Sequence, residues 1–260
     1  MSADGAYLDG TRLWGDDLTG ADLEAWFADE RAGYAQLGPP GEYGYDALNR
    51  HHGFRHVPNH TIDHALAFGA GSGRELLPIA ERIRHATIVD VRVVASALPV
   101  PTDRVMPAAS GVLPLADHSF DLATCFGALH HVANVSRVLG ELHRVLRPGG
   151  YALVREPIVS LGDWRRPRRG LTKRERGLPL AWLHGAFARA GFTIEREAVC
   201  WFPPLTRTAH ALGMRAPFTS AAFARLDAIA ARAFAWNLRY HAVTAVQKLR
   251  PTSAFFVLRA

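Results

Sequence analysis

A short apolar run, His64-Ala65-Leu66-Ala67-Phe68, breaks into three glycines on alternate positions, Gly69, Gly71 and Gly73, after which apolar residues return with helical spacing. The run reads as a strand, the glycines as a tight loop and the return as a helix. Glycine enters backbone regions closed to other residues and lets a ligand lie directly against the main chain. Amides at the start of the following helix then face that ligand. A Gly-x-Gly-x-x-Gly loop would point to a dinucleotide. Here the last glycine comes one residue early, and taken alone the loop fits equally well a turn between two packed elements.

Three later stretches narrow the reading: Leu113-Pro114-Leu115-Ala116-Asp117-His118-Ser119-Phe120-Asp121-Leu122, then Leu129-His130-His131-Val132, then Leu146-Arg147-Pro148-Gly149-Gly150-Tyr151. From about Ala65 to Glu156 their order and spacing resemble the class I S-adenosylmethionine-dependent methyltransferases, in the small-molecule group known as methyltransferase type 11. The resemblance implies an α/β, Rossmann-like sheet of seven mostly parallel strands, helices on both faces and an antiparallel last strand. It also implies S-adenosylmethionine as cofactor, a molecule without phosphates and so suited to the shortened loop. Cofactor contacts are then expected at Phe68, Gly69, Ala70, Gly71 and Gly73, at Asp90 and Val91, and at Ala109, Ser110, Phe126 and Gly127. Asp90 ends an apolar strand about 20 residues after the loop, where an acid can accept hydrogen bonds from a ribose diol.

Two carboxylates usual in that family are missing. The position two residues before Gly69 is Ala67, and the position at the end of the third strand is Ala109. Asp63 is four strand residues from Ala67, roughly 13 Å, so Glu75 at the helix start is the expected substitute. Ser110 offers a hydroxyl beside Ala109. A lost charge-assisted hydrogen bond costs about 1.5–3 kcal/mol.

With 260 residues, 48% of them hydrophobic, the chain can bury one core and carry appendages. The expected division is an N-terminal helical cap over 1–60, a cofactor-binding core over 61–201, a helical insertion over 202–251 and a last core strand over 252–260. No apolar run reaches about 18 residues, and the first residues lack a basic segment followed by an apolar one, so a cytoplasmic protein is expected. Cys125 and Cys200 are too few for a disulfide framework or a cysteine-based metal site, and no metal is expected. The net charge is +6, concentrated between Arg165 and Arg176. Arg165, Arg166, Arg168 and Arg169 are therefore candidates for binding a phosphate- or carboxylate-bearing acceptor, against the alternative of a solvated basic loop. Nucleic acid is not expected as partner: no Asn/Asp-Pro-Pro-Tyr/Phe follows the fourth strand, where Phe126-Gly127-Ala128-Leu129-His130-His131 stands instead.

Taken in order, Thr19 to Leu37 has the spacing of an amphipathic helix with Leu23, Trp26, Phe27 and Tyr34 near one face, ended by Gly38-Pro39-Pro40-Gly41. Tyr43 to His56 follows, with Tyr43, Tyr45, Asn49, His51 and His52 as lid candidates. Strands are predicted at 62–68, 86–90, 120–126, 151–155 and 192–201, with an irregular one ending near Ala108 and the last at 254–258. Helices are predicted over 73–83, after an Asn134 cap to Leu146, and from Pro179 to Gly191. Thr219 opens a helical pattern reaching about Leu249, with Phe223, Leu226, Ile229 and Phe234 on one side, and this insertion is either a substrate lid or a homodimer surface.

Methyl transfer from a sulfonium needs alignment and exclusion of water, and a base only where the nucleophile must lose a proton. His131 is the first candidate, His130 the second and Glu156, at the end of the fifth strand, the third. Two other readings stay open: a degenerate partner subunit without catalysis, and a cofactor-retaining enzyme of different chemistry.

Overall fold

The computed structural model describes residues 3–36, 43–92 and 94–260. Leu37 and the expected helix stop Gly38-Pro39-Pro40-Gly41 lie outside the described residues. The core is one seven-stranded sheet built from β1 (Ile62–Phe68), β2 (Ile83–Val89), β3 (Thr102–Val105), β4 (Phe120–Phe126), β5 (Leu146–Pro157), β6 (Thr193–Cys200) and β7 (Ser253–Arg259). Their spatial order is β3-β2-β1-β4-β5-β7-β6. β1 to β5 are parallel, while β7 runs antiparallel between β5 and β6. The order reverses at β1 and β4, and that crevice is where open parallel sheets bind ligands.

Alternation along β1 divides the core in two. Leu66 and Phe68 face one buried cluster, with α4 (Val135–Val145) and α5 (Leu180–Ala190) packed over it. Ala65 and Ala67 face the other, covered by α3 (Asp46–His52) and by α7 (Ala221–Ala233) of the insertion. Strands covered on both faces read as continuous apolar runs, which is why β1, β2 and β4 were legible. Two N-terminal helices complete the chain, the short α1 (Ala3–Leu8) and the longer α2 (Gly20–Gln36), while α6 (Pro203–Ala211) opens the insertion.

Several local expectations are corrected. The helix predicted over 73–83 is a run of 3-10 turns over Arg74–Arg82 containing Pro78, and β2 starts three residues early. Pro78 lacks an N–H and cannot continue an α-helical ladder. β3 stops at Val105, two residues before Pro107, which has no donor for the ladder. Asn134 does not cap α4 with its side chain; it holds a left-handed conformation and donates to Leu18 O instead. The free amide of Ser136 goes to Asp16 Oδ1 at 2.8 Å. β5 begins at Leu146, because Arg147-Pro148-Gly149-Gly150 continues as an irregular strand. The long helix expected from Thr219 is capped by Ser220 and ends at Ala233. Beyond it the chain turns through short 3-10 segments, and Leu226 and Ile229 are exposed rather than on a buried face.

Candidate active site

At the carboxyl edge of β1, β2 and β4 lies a cavity bordered by Phe68, Asp90 and Ala128, the place where open parallel sheets take their ligands. Its floor is the glycine loop. Gly69, Gly71 and Gly73 all take positive φ, at 70°, 56° and 80°. A Cβ on Gly69 would come within 2.3 Å of Ala128 Cβ, so β1 and the loop after β4 can approach only because it is absent. A Cβ on Gly71 would meet nothing within 4 Å: at this glycine the cradle is open. Gly73 closes the loop against Ile88 and Leu98.

Phe68, Gly69, Gly71, Asp90, Val91 and Ala109, all expected to hold cofactor, line this cavity. Asp90 sits at the end of β2 with both oxygens turned to backbone, accepting from Gly71 N and from Arg92 N at 2.7 Å each. Ala70, Gly73, Phe126, Gly127 and Ser110 lie outside the lining. Gly127 instead turns the chain at φ 72°, and its amide donates to Arg155 O. Ser110 is exposed at the end of its turn.

Glu75 is a correction. Its carboxyl does not enter the cavity but is fully buried beside Thr124, whose hydroxyl donates to it. Burial pushes its pKa up to about 7, against the opposing pull of Thr124 and Arg155. The turn after Gly73 carries the side chain under the sheet edge, where those partners wait. Ala67 is completely buried in the core, so no acid takes the place missing there.

The roof is α2, part of the expected N-terminal cap, whose Leu23, Trp26, Phe27, Glu30 and Tyr34 all face the cavity. The helical apolar face was visible in the sequence, but nothing in its periodicity says what it covers. Tyr43, Tyr45, Asn49, His51 and His52, the expected lid, are outside the lining. Asn49 and His52 are buried, and Tyr45 packs against Trp201 and Phe218 beside a second, smaller cavity formed with the insertion.

His131 lines the cavity beside α2. Its Nδ1 is 2.8 Å from Glu30 Oε2, and its carbonyl accepts the Trp26 indole N–H at 2.7 Å. Burial lowers the His131 pKa, and the neighbouring His130 adds to this against the opposing Glu30 and Glu175. Burial acts upward on Glu30, but hydrogen bonds from His131 and Thr172 leave it below its ordinary value. His130 lies outside the lining, its Nδ1 2.7 Å from Glu156 Oε2.

Glu156 is also corrected as a base. It is 1% exposed and turned away from the cavity. It accepts from the amides of Ala128 at 2.9 Å and Leu129 at 2.8 Å, fixing the loop that carries both histidines. Its charge is used for positioning and does not pair with the arginines that follow.

Those arginines are the third correction. Arg165, Arg166, Arg168 and Arg169 are all absent from the cavity wall. Arg165 pairs with Asp163 at 2.8 Å, and Arg168 donates to the carbonyls of Thr172 and Lys173. Further along, Lys173 and Arg174 meet Asp29 of α2 at 2.9 and 2.8 Å. Arg174 N donates to Glu30. Arg176, 1% exposed, donates to the carbonyls of Trp14 and His130, and burial pushes its pKa down to about 10. The basic segment clamps the roof to the histidine loop.

A family model described as a methyltransferase domain matches residues 66–154. The sheet that carries these residues has the class I methyltransferase fold. The cofactor of that family is S-adenosylmethionine. The chain is 40% identical over 79 residues to the hybrid PKS-NRPS synthetase ucsA of an Acremonium species, covering 30% of this chain and 2% of that one. It is 30% identical over 117 residues to the ubiquinone/menaquinone biosynthesis C-methyltransferase UbiE of Xanthomonas campestris pv. campestris, covering 40% and 46%. The chain thus spans less than half the length of these curated relatives. Among solved structures, the 1,6-didemethyltoxoflavin-N1-methyltransferase of Burkholderia thailandensis, with bound 1,6-didemethyltoxoflavin and S-adenosylhomocysteine, shares the fold at TM-score 0.55 and 16% identity, covering 94% of this chain and 92% of that one. Among the described residues no helix is long and apolar enough to cross a membrane.

The groups bordering the cavity are compatible with this cofactor. An open glycine cradle, a carboxylate at the end of β2 and the apolar walls Val91 and Leu113 border one space. The acids missing at Ala67 and Ala109 reduce the number of charged contacts without closing the site.

Proposed function

We propose that this methyltransferase domain transfers a methyl group to a small acceptor held between the glycine loop and α2, with His131 accepting the proton that the acceptor loses. One observation carries the reading: Gly69 and Gly71, Asp90 and His131, drawn from three different segments, border the same cavity under an apolar roof. When bound, S-adenosylmethionine supplies a methyl group on a strongly activated sulfur.

Gly69 and Gly71 would leave room for the methionine portion along the main chain, Asp90 would accept from the ribose hydroxyls, and Val91 and Leu113 would offer apolar surface to the adenine. Trp26, Phe27 and Tyr34 exclude water from the reacting pair. Glu30 accepts from Thr172 Oγ1 at 2.6 Å and from Arg174 N at 2.7 Å, so it acts as an acceptor toward His131 and fixes the N–H on Nδ1. Nε2 is then the nitrogen that takes a proton, and the lowered pKa of His131 keeps it neutral near pH 7.

The expectation of an anionic acceptor loses its support, because the arginines on which it rested lie outside the cavity wall. The roof favours an acceptor with an apolar body and one reactive oxygen or nitrogen. Calorimetric titration of the full chain with S-adenosylhomocysteine tests the site. Saturable binding that weakens about tenfold or more in Asp90→Ala is expected, at roughly 1.5–3 kcal/mol for a charged hydrogen bond. No heat at millimolar ligand overturns the reading.

A further inference from the structure

Beside the cavity, His130, His131 and Glu175 form a cluster of metal-ligating side chains. A ring nitrogen from each histidine and an oxygen of Glu175 lie within 4.8 Å of one another. Their side chains are only 11%, 12% and 13% exposed. Glu156 already accepts two backbone amides, so it is an acceptor toward His130 as well, and His130 donates from Nδ1. Its Nε2 faces Glu175 Oε1 at 3.7 Å. His131 Nδ1 likewise lies against a carboxylate, 2.8 Å from Glu30 Oε2.

We propose that His130, His131 and Glu175 bind a divalent transition-metal ion of the zinc class. Two imidazoles and one carboxylate suit Zn²⁺, Co²⁺ or Fe²⁺ rather than Mg²⁺ or Ca²⁺, which prefer oxygen. Bonds of about 2.0–2.2 Å in a tetrahedron place donor atoms about 3.3 Å apart, so shifts of about an ångström complete the set. The surroundings are those a metal site uses: each histidine is oriented by a carboxylate on its far nitrogen, Glu156 for one and Glu30 for the other. Three protein ligands leave a fourth position for water or an acceptor oxygen, whose proton the ion makes more acidic. In the loaded protein this takes over the role of His131 as base. The site itself stands apart from the methyl-transfer reading, because its ligands are defined without cofactor.

The experiment uses the full chain with Zn²⁺ or Co²⁺ alone. One equivalent of zinc per chain after equilibrium dialysis is expected, and Co²⁺ gives the intense visible bands of a tetrahedral site. Glu175→Gln keeps an oxygen to accept from Thr172 N, now at 3.1 Å, and His130→Asn keeps a donor for Glu156. Both are expected to weaken uptake at least about tenfold. His184→Gln, at an exposed histidine paired with Glu197, is expected to bind as wild type. Substoichiometric zinc, weak octahedral cobalt bands in the wild type, or equal affinity in all three variants overturns the proposal. The wild-type cobalt spectrum decides even where a variant fails to fold. Because no cofactor is present, a negative result leaves the methyl-transfer reading standing, and a failure to bind S-adenosylhomocysteine leaves the metal count standing.

Discussion

Two helical appendages flank the same sheet, and they are attached by different chemistry. The N-terminal α2 is joined to the loops after β4 and β5 by polar contacts at their working end: Trp26 to the His131 carbonyl, Glu30 to His131 and Thr172, Asp29 to Lys173 and Arg174. The insertion is held by rings and by one buried acid. Phe202 stacks on Phe234 at 4.6 Å, Phe218 meets Trp201 at 5.2 Å, and Asp227 accepts from the amides of Trp201 and Phe202 at 2.7 Å each. The first appendage covers the cavity; the second extends the fold and borders a separate hollow. Length and apolar pattern alone leave the insertion as either a lid or a dimer surface, whereas the groups each appendage touches place α2 over the cavity.

Breaking α2 at its anchor should give the largest effect. Trp26→Ala removes a side chain 1% exposed and is expected to cost about 3–5 kcal/mol, read by chemical denaturation, together with a loss of S-adenosylhomocysteine affinity. A cofactor affinity equal to wild type in the folded fraction would detach the roof from the site. His131→Asn keeps a donor toward Glu30 and is expected to lower kcat by about 10²–10⁴-fold with cofactor affinity unchanged. The wild-type rate should fall as pH drops below the ordinary histidine value of 6.5, because the lowered pKa puts protonation there. That acid limb should be absent from the variant.

On the insertion's side, Glu75 gives a pH signature. Its pKa is raised from 4.5 to about 7, so the folded chain holds a proton that the unfolded chain releases between those values, and stability falls as pH rises through that window. The penalty above pH 7 is about 3 kcal/mol at about 1.4 kcal/mol per pKa unit. Glu75→Gln should therefore raise Tm at pH 8 and change it little at pH 5. Asp227→Ala leaves two amides without their acceptor and should cost about 1–3 kcal/mol in denaturation, with kcat and cofactor affinity unaltered; a fall in kcat would bring the insertion into catalysis. The smallest effect is expected for Arg166→Ala, whose side chain is 85% exposed: within about 0.5 kcal/mol in stability and no change in KM for an identified acceptor.

The strands around the glycine loop were legible because burial on both faces writes itself as unbroken apolar runs, and Asp90 because it ends one of them. The 3-10 turns over Arg74–Arg82 were misread as a helix although Pro78 was in plain view, since apolar spacing over nine residues does not separate the two. Glu75 and Glu156 were assigned by their distance along the chain from the loop and from β5. The direction of a carboxylate depends instead on which amides and hydroxyls meet it from other segments, and here Thr124 took one, Ala128 and Leu129 the other. The basic segment misled in part for the same reason: Lys173 and Arg174 find Asp29 more than a hundred residues away, whereas Arg165 pairs with its near neighbour Asp163.

Local pattern determined the sheet, its switch point and the glycine cradle, because backbone conformation and two-sided burial act between neighbours in the chain. Only tertiary structure decided what roofs that cradle, which histidine reaches it and where each buried charge finds its partner. Those outcomes are pairings between distant segments, and no single stretch of sequence contains both members.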